Sequence, residues 1–363
     1  MLTAALSICL VSAALAAPEE VRFPGGAEGV ELAGTLLLPD EGEGPFAAVV
    51  LVSGSGPQDR DEAIMGQAPF RVLAEGLAER GIATLRYDDR GTQGLGIGQS
   101  TGDFASATTE DFAGDARAAI AFLAGRGEID AARIGVLGHS EGALVAGMLA
   151  AAGEIPCCAV LLGGAGVNGI ELMADQYQAL LAAQGMEGEA IAGQRAAHRA
   201  VLEASAAGAE GEELEEAVRA LLREQLAAHF GQTPPPEAVE RMLPGAVQQI
   251  ASPWMRYFLR HDPAADLAAS TVPVLALLGE RDLQVTDEAN AAPLADALGK
   301  AGRPGSLVVV VPGKNHLFQD AATGAVPEYA TAGAAPAPDV VALIADWLSA
   351  RAPGSADDTG ARP

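Results

Sequence analysis

The stretch that most constrains this chain is residues 133–148, RIGVLGHSEGALVAGM. It opens on Ile134, Val136 and Leu137, an apolar run short enough for a buried parallel strand. It closes on Ala143, Leu144, Val145, Ala146 and Met148, a helix-compatible run with no breaker but Gly147. Between the two lies Gly138-His139-Ser140-Glu141-Gly142, a G-x-S-x-G. A serine on a tight, strained strand-to-helix turn is a nucleophile elbow, and it needs neighbours without side chains two residues away. Gly138 and Gly142 supply that room. The following helix sets its N-terminus beneath the place where negative charge would develop. A bare G-x-S-x-G arises readily in a chain with 44 glycines, so it is the flanking strand and helix that single out Ser140 as a candidate nucleophile.

Short apolar strands alternate with helical segments along most of the chain, the pattern of a mostly parallel sheet wrapped by helices. Residues 30–38 and 46–52 read as strands around the turn-rich PDEGEGP, and the second, FAAVVLV, is continuously apolar, as a strand covered on both faces should be. It runs into Ser53-Gly54-Ser55-Gly56-Pro57-Gln58-Asp59-Arg60-Asp61, a Gly/Ser loop placed where an oxyanion hole takes its second backbone N–H. A helix over 69–80 ends at Gly81, and a strand over 82–87 leads to Asp88-Asp89-Arg90-Gly91. With no companion ligands at metal spacing, Asp88 and Asp89 read as loop-organising partners of Arg90. An amphipathic helix over 109–125 carries Phe112, Ala116, Ala119, Ile120 and Leu123 on one side. Beyond the elbow comes a strand at 159–163, headed by the adjacent Cys157 and Cys158, whose side chains diverge too far for a relaxed disulfide.

From about residue 165 to 264 the alternation pauses, and the chain turns polar, acidic and helical over 170–184, 187–206 and 212–229, broken by Gly and by Pro234-Pro235-Pro236. So long an insertion between two strands reads as a cap over an active site, with His198 and His229 as surface residues of its helices. The sheet resumes at 272–278, which ends in Gly279-Glu280-Arg281-Asp282. A last strand at 307–311 ends in Pro312-Gly313-Lys314-Asn315-His316, and a helix over 339–350 closes the core.

Ser140, Asp282 and His316 therefore follow predicted strands in the order serine, acid, histidine, which sets all three at the carboxyl edge of one parallel sheet. Serine is a poor nucleophile at neutral pH, so His316 must take its proton and later give it to the leaving group. Asp282 would hold the imidazole tautomer and stabilise the imidazolium. The competing acids are Asp262 and Asp266, which precede their strand, and Asp287, which lies well beyond the turn. The competing histidines are His139, inside the elbow and read as pointing elsewhere, and His261, ahead of the strand.

The strings GSGPQDRDE, LRYDDRG, GHSEG, SPWMRYFLRHDP and LLGERDLQV, with their spacing, resemble bacterial α/β-hydrolases of the serine aminopeptidase S33 (hydrolase-4) group, and within it the EstD-type carboxylesterases. The resemblance runs from about residue 30 to 348; residues 92–100 form a longer glycine loop than is usual there. It implies an α/β-hydrolase fold, a twisted mostly parallel sheet flanked by helices with an inserted helical cap. It also implies a Ser140–Asp282–His316 triad, with an oxyanion hole from the backbone N–H groups of Glu141 and of Ser55 or Gly56. The activity implied is hydrolysis of short to medium acyl esters through an acyl-enzyme, without organic cofactor or metal. The alternatives are an S33-type aminopeptidase or amidase, and a catalytically silent binding protein.

Residues 1–16 hold no charged side chain and end in Ala14-Leu15-Ala16, so they read as a signal peptide cleaved after Ala16. That reading makes the protein periplasmic or secreted, without stable membrane insertion after cleavage; its alternative is an N-terminal anchor. The expected plan is a first core segment at 18–164, the cap at 165–264, a second core segment at 265–350 and a disordered tail at 351–363. A formal net charge of −26 argues against nucleic acid or an anionic membrane as partner and leaves a small-molecule ester as the expected one.

Overall fold

The computed structural model describes residues 17–351, so the signal-peptide segment and nearly all of the expected tail lie outside the described residues. In chain order the elements are β1 (Glu19–Pro24), β2 (Glu31–Leu37), β3 (Phe46–Val52), α1 (Pro69–Ala78), β4 (Ile82–Tyr87), the single turn α2 (Thr92–Leu95) and α3 (Thr109–Ala124). Then follow β5 (Ile129–His139), α4 (Glu141–Ala152) and β6 (Ala159–Leu162). A helical insert comes next: α5 (Gly169–Ala183), α6 (Glu189–Ala207), α7 (Gly211–Phe230), α8 (Pro236–Ile250), α9 (Pro253–Arg260) and α10 (Pro263–Ala268). The chain ends with β7 (Val274–Gly279), α11 (Asp287–Ala301), β8 (Leu307–Val311), a 3₁₀ turn (Val326–Ala330) and α12 (Pro338–Ser349).

The strands form one eight-stranded sheet in the order β1-β2-β4-β3-β5-β6-β7-β8. From β4 to β8 every pairing is parallel, and only β1 and β2 run against their neighbours. The expected architecture is therefore the observed one. Alternation along β3 serves both faces of the sheet. Ala48, Val50 and Val52 pack toward α3, α4 and α11, whereas Val49 and Leu51 pack toward α1 and α12. A strand with two buried faces tends to read as a continuous apolar run, and β3, β6 and β7 do; β4, IATLRY, is as buried but carries Thr84 and Arg86, the latter paired with Asp61 at 2.7 Å. Because the register pairs Val52 with Gly138, His139 with Leu162 and Gly279 with Val311, the parallel strands stop at one common edge.

The unforeseen β1, EEVRFP, is an edge strand that buries only Val21 and Phe23, which is too little apolar signal to read from sequence. The insert holds more helices than expected, because Pro236, read as part of a break, and two further prolines each open a helix. Pro236, Pro253 and Pro263 stand in the first turn of α8, α9 and α10, where the missing N–H costs nothing. Its helices share an apolar core of their own around Leu202, Leu214, Val218, Leu222, Val239 and Leu243. His198 is not the surface residue expected: its ring lies against that of Tyr177, tilted by 41° with centroids 4.4 Å apart, and burial pushes its pKa down to about 4. Among the described residues no helix is long and apolar enough to cross a membrane.

Candidate active site

The elbow is built by close approach. A Cβ on Gly138 would stand 1.9 Å from the carbonyl oxygen of Gly142, and one on Gly142 would stand 2.0 Å from that of Val52. No other residue fits either position, so β5 and α4 can be joined through Ser140 in a single step. Ser140 takes φ +53°, a backbone conformation that L residues rarely adopt. It is held there by its own N–H, which donates to Leu162 at 2.8 Å, and by its carbonyl, which accepts from Ala143 at 3.0 Å. Glu141 begins α4, so its backbone N–H belongs to the first helical turn and has no acceptor within the helix.

Asp282 follows β7 and His316 follows β8, and both side chains are buried. His316 Nδ1 lies 2.7 Å from Asp282 Oδ2, while Asp282 Oδ1 accepts from the backbone N–H groups of Gln284 at 2.7 Å and Val285 at 2.9 Å. With both carboxylate oxygens engaged, the carboxylate cannot rotate away from the ring. Gly163 lies behind the pair, where a Cβ would meet the imidazole at 3.1 Å. The His316 loop is tied by Asn315, whose Oδ1 accepts from the backbone N–H groups of Leu317 at 3.1 Å and Gln319 at 3.0 Å.

Ser140 and His316 line one cavity of about 230 Å³. Ser55, Ile64 and Gln58 close it from the β3 loop; Leu172, Met173, Trp254 and Phe258 close it from α5 and α9 of the insert. Gly56, at φ +90°, shapes the β3 loop. The Gly54 N–H is spent on Glu62 Oε1 at 2.7 Å; of the two expected loop residues, Ser55 lines the cavity and Gly56 does not.

The competing acids stand elsewhere: Asp262 caps α10 through Ala264 and Ala265, Asp266 lies 2.9 Å from His261, and Asp287 sits in the first turn of α11. Among the described residues no group of three or more His, Cys, Asp or Glu side chains is placed to hold a metal ion.

Two expectations are corrected. Asp88 and Asp89 do not partner Arg90. Asp88 takes a two-pronged contact from Arg60 at 2.9 and 2.8 Å, and Asp89 accepts from Ser53 Oγ at 2.7 Å and Gln58 N at 2.9 Å. Arg90 instead turns to Asp115 on α3, at 2.7 and 2.8 Å. Nor does His139 point away from the site. Its ring lies 4.7 Å from that of His316, and its Nε2 is 3.0 Å from the His316 carbonyl oxygen.

The sequence reading missed Glu62 and Trp254. Glu62, buried in the β3 loop, faces both Gly54 and His139. Trp254 on α9 donates from Nε1 to Glu141 Oε1 at 2.7 Å, so the insert touches the residue that follows the candidate nucleophile. Burial raises the Glu141 pKa against the hydrogen bonds from Thr109, Trp254 and Ser55. The signals present were a lone glutamate in a Gly/Ser loop and a tryptophan opening a short helix.

The profile of the Alpha/beta hydrolase family matches residues 49–328. The chain belongs to this family. It is 28% identical over 290 residues to "Esterase EstD" of Thermotoga maritima, a match covering 79% of this chain and 58% of that one. The chain thus spans little more than half the length of that relative. Among solved structures it is similar to an esterase of Pyrococcus furiosus (TM-score 0.53, 17% identity, 92% of this chain and 91% of that one). It is also similar to proline iminopeptidase of Mycobacterium smegmatis (TM-score 0.52, 18% identity, 92% and 98% covered). At such identities these two structures speak for the fold alone.

Proposed function

We propose that the protein is a serine hydrolase that cleaves carboxylic esters of short to medium acyl chain through an acyl-enzyme. The observation that carries this reading is the strained Ser140 sharing one cavity with a His316 ring whose far nitrogen lies 2.7 Å from Asp282. Because Nδ1–H donates to Asp282, the other nitrogen, Nε2, is free to act as base. It takes the Ser140 proton as Oγ attacks the acyl carbon, then passes that proton to the departing alcohol. Water repeats the sequence to release the acid. The amides of Glu141 and of Ser55 or Gly56 receive the developing oxyanion. The relative named as an esterase supports the ester reading.

The cavity lining favours esters over peptides with a free N-terminus. Its polar lining includes the carboxamides of Gln58, Gln176 and Gln284. Its carboxyl, Glu62, has Oε1 engaged by Gly54 and His139, and its Oε2, though without a partner, is buried. A substrate ammonium would meet no carboxylate oxygen there that is both unpartnered and exposed.

p-Nitrophenyl esters assayed beside aminoacyl p-nitroanilides test the substrate class, and a fluorophosphonate probe tests the nucleophile. Ester turnover with labelling at Ser140 is expected. Ser140→Ala should abolish labelling and lower kcat by about 10⁴-fold or more. Near-wild-type kcat in that variant would overturn the mechanism, and faster anilide than ester turnover would overturn the substrate class.

A further inference from the structure

A second carboxyl–imidazole pair lies against the candidate triad, and the proposed reaction does not use it. His139 ends β5 one residue before Ser140, and its buried ring spans two partners. Nδ1 is 2.8 Å from Glu62 Oε1, and Nε2 is 3.0 Å from the His316 carbonyl oxygen. A carbonyl can only accept, so Nε2 carries a hydrogen. A single proton then lies between Nδ1 and Oε1, and the same Oε1 also accepts the Gly54 N–H at 2.7 Å. Glu62 therefore joins the β3 loop, the end of β5 and, through His139, the main chain of His316.

Two costs are sustained at this residue. Glu62 holds φ +52°, in the left-handed region that a side chain disfavours, and its Oε2 is buried without a partner. Local strain of this kind persists where the surroundings over-determine it, and it gathers at functional sites.

We propose that Glu62 and His139 are positioning residues, holding the His316 main chain through the imidazole and the Ser55–Gly56 amides through Gly54. This rests on the serine-hydrolase reading above. The charge state fits the geometry. Burial disfavours the charged His139 ring, but Glu62 outweighs it, with the His316 carbonyl and Asp282 acting in the same direction, and the His139 pKa is raised. The titratable groups around the pair are His316 and Asp282 from the β8 and β7 loops, and Glu141 and Asp89 from α4 and the β4 loop. As pH rises through that raised value the ring loses the shared proton, and a bare Nδ1 then faces Glu62 Oε1. The link to His316 loosens, so kcat should fall on the alkaline side.

The test is steady-state kinetics with p-nitrophenyl butyrate against pH, for wild type, Glu62→Ala, Glu62→Gln and Ser140→Ala, with near-ultraviolet circular dichroism to report folding. Misplacing a catalytic group by about 1 Å costs on the order of 10²-fold in rate. Glu62→Ala should lower kcat by about that factor, with KM within about twofold. Glu62→Gln should keep kcat within about tenfold of wild type on the acid side of the decline, since its amide oxygen in the place of Oε1 can accept from both Gly54 and a protonated Nδ1. It should also move the alkaline decline to lower pH, because the carboxylate that raises the His139 pKa is gone. A folded Glu62→Ala with wild-type kcat, a loss expressed only in KM, or an unchanged alkaline decline in Glu62→Gln would each overturn the positioning role. If Glu62→Ala does not fold, the Glu62→Gln pH profile decides alone. An active Ser140→Ala would instead overturn the nucleophile assignment, so the two failures are told apart.

Discussion

Asp115 is 1% exposed and meets Arg90 through both carboxylate oxygens, while its Oδ1 also accepts the Gly26 N–H at 2.7 Å. Removing one member of a buried ion pair leaves the other charge without compensation, at about 3–5 kcal/mol. Asp115→Ala should therefore lose about 3 kcal/mol or more in urea unfolding, whereas Asp88→Ala should leave Arg90 paired. A loss below about 1 kcal/mol for Asp115→Ala would show that Arg90 finds water or Asp111 at no cost. This pairing also shows where sequence reading stops at the residue scale. Ser140 was legible because its requirements are local: two glycines, a strand before and a helix after. The pairing of Asp282 with His316 was legible because each follows a clear strand. Arg90 was misread because adjacency in DDRG suggested a neighbour, while its partner stands on α3, 25 residues away. Glu62 was missed for the same reason, since its role exists only once β3, β5 and β8 end at one edge.

At the scale of elements, what could be read depended on burial on both faces. The parallel strands announce themselves as apolar runs, and β1, half exposed at the sheet edge, does not. The segment after β8 is likewise silent in sequence, yet it is tightly organised. Glu328 there accepts from the backbone N–H groups of Ala322 at 2.7 Å, Thr323 at 3.0 Å and Gly324 at 2.9 Å, and from Thr323 Oγ1 at 2.8 Å. Those donors, the Ala322 N–H foremost, pull its pKa down to about 2. The neighbouring Tyr329 carbonyl accepts from Gln319 Nε2 at 3.0 Å, which joins this clip to the His316 loop. A carboxyl depressed in the folded state adds stability above its unfolded pKa, near 4.3, and that stability is lost as pH falls through the folded value. Glu328→Gln should thus lower the urea midpoint at pH 7, and the gap to wild type should close between about pH 4 and pH 2. A gap that persists unchanged at pH 2 would show that the clip acts through packing and not through charge.

At the scale of the molecule, two cores on either face of the sheet carry the edge that bears the candidate site, and a third core belongs to the insert. The insert reaches the edge through α5 and α9: Leu172 and Phe258 join the sheet-face core, and Trp254 bonds Glu141. The same two helices form one wall of the cavity, so its size is set by side chains that also weld the insert to the sheet. Acyl length is predicted to be read at this wall. Leu172→Ala and Phe258→Ala remove several methylene equivalents each, and a hydrophobic pocket discriminates by about 1–3 kcal/mol per methylene. Each variant should raise kcat/KM for a hexanoate ester relative to an acetate ester by roughly tenfold or more, with fluorophosphonate labelling of Ser140 retained. Both should also lose about 2–5 kcal/mol of stability, because the deleted side chains leave a cavity in a packed core, so rates must be compared well below the lowered Tm. If the hexanoate-to-acetate ratio stays fixed while both rates fall together, the wall supports the site without selecting the acyl chain, and selection must be sought at the β3 loop around Ile64 instead.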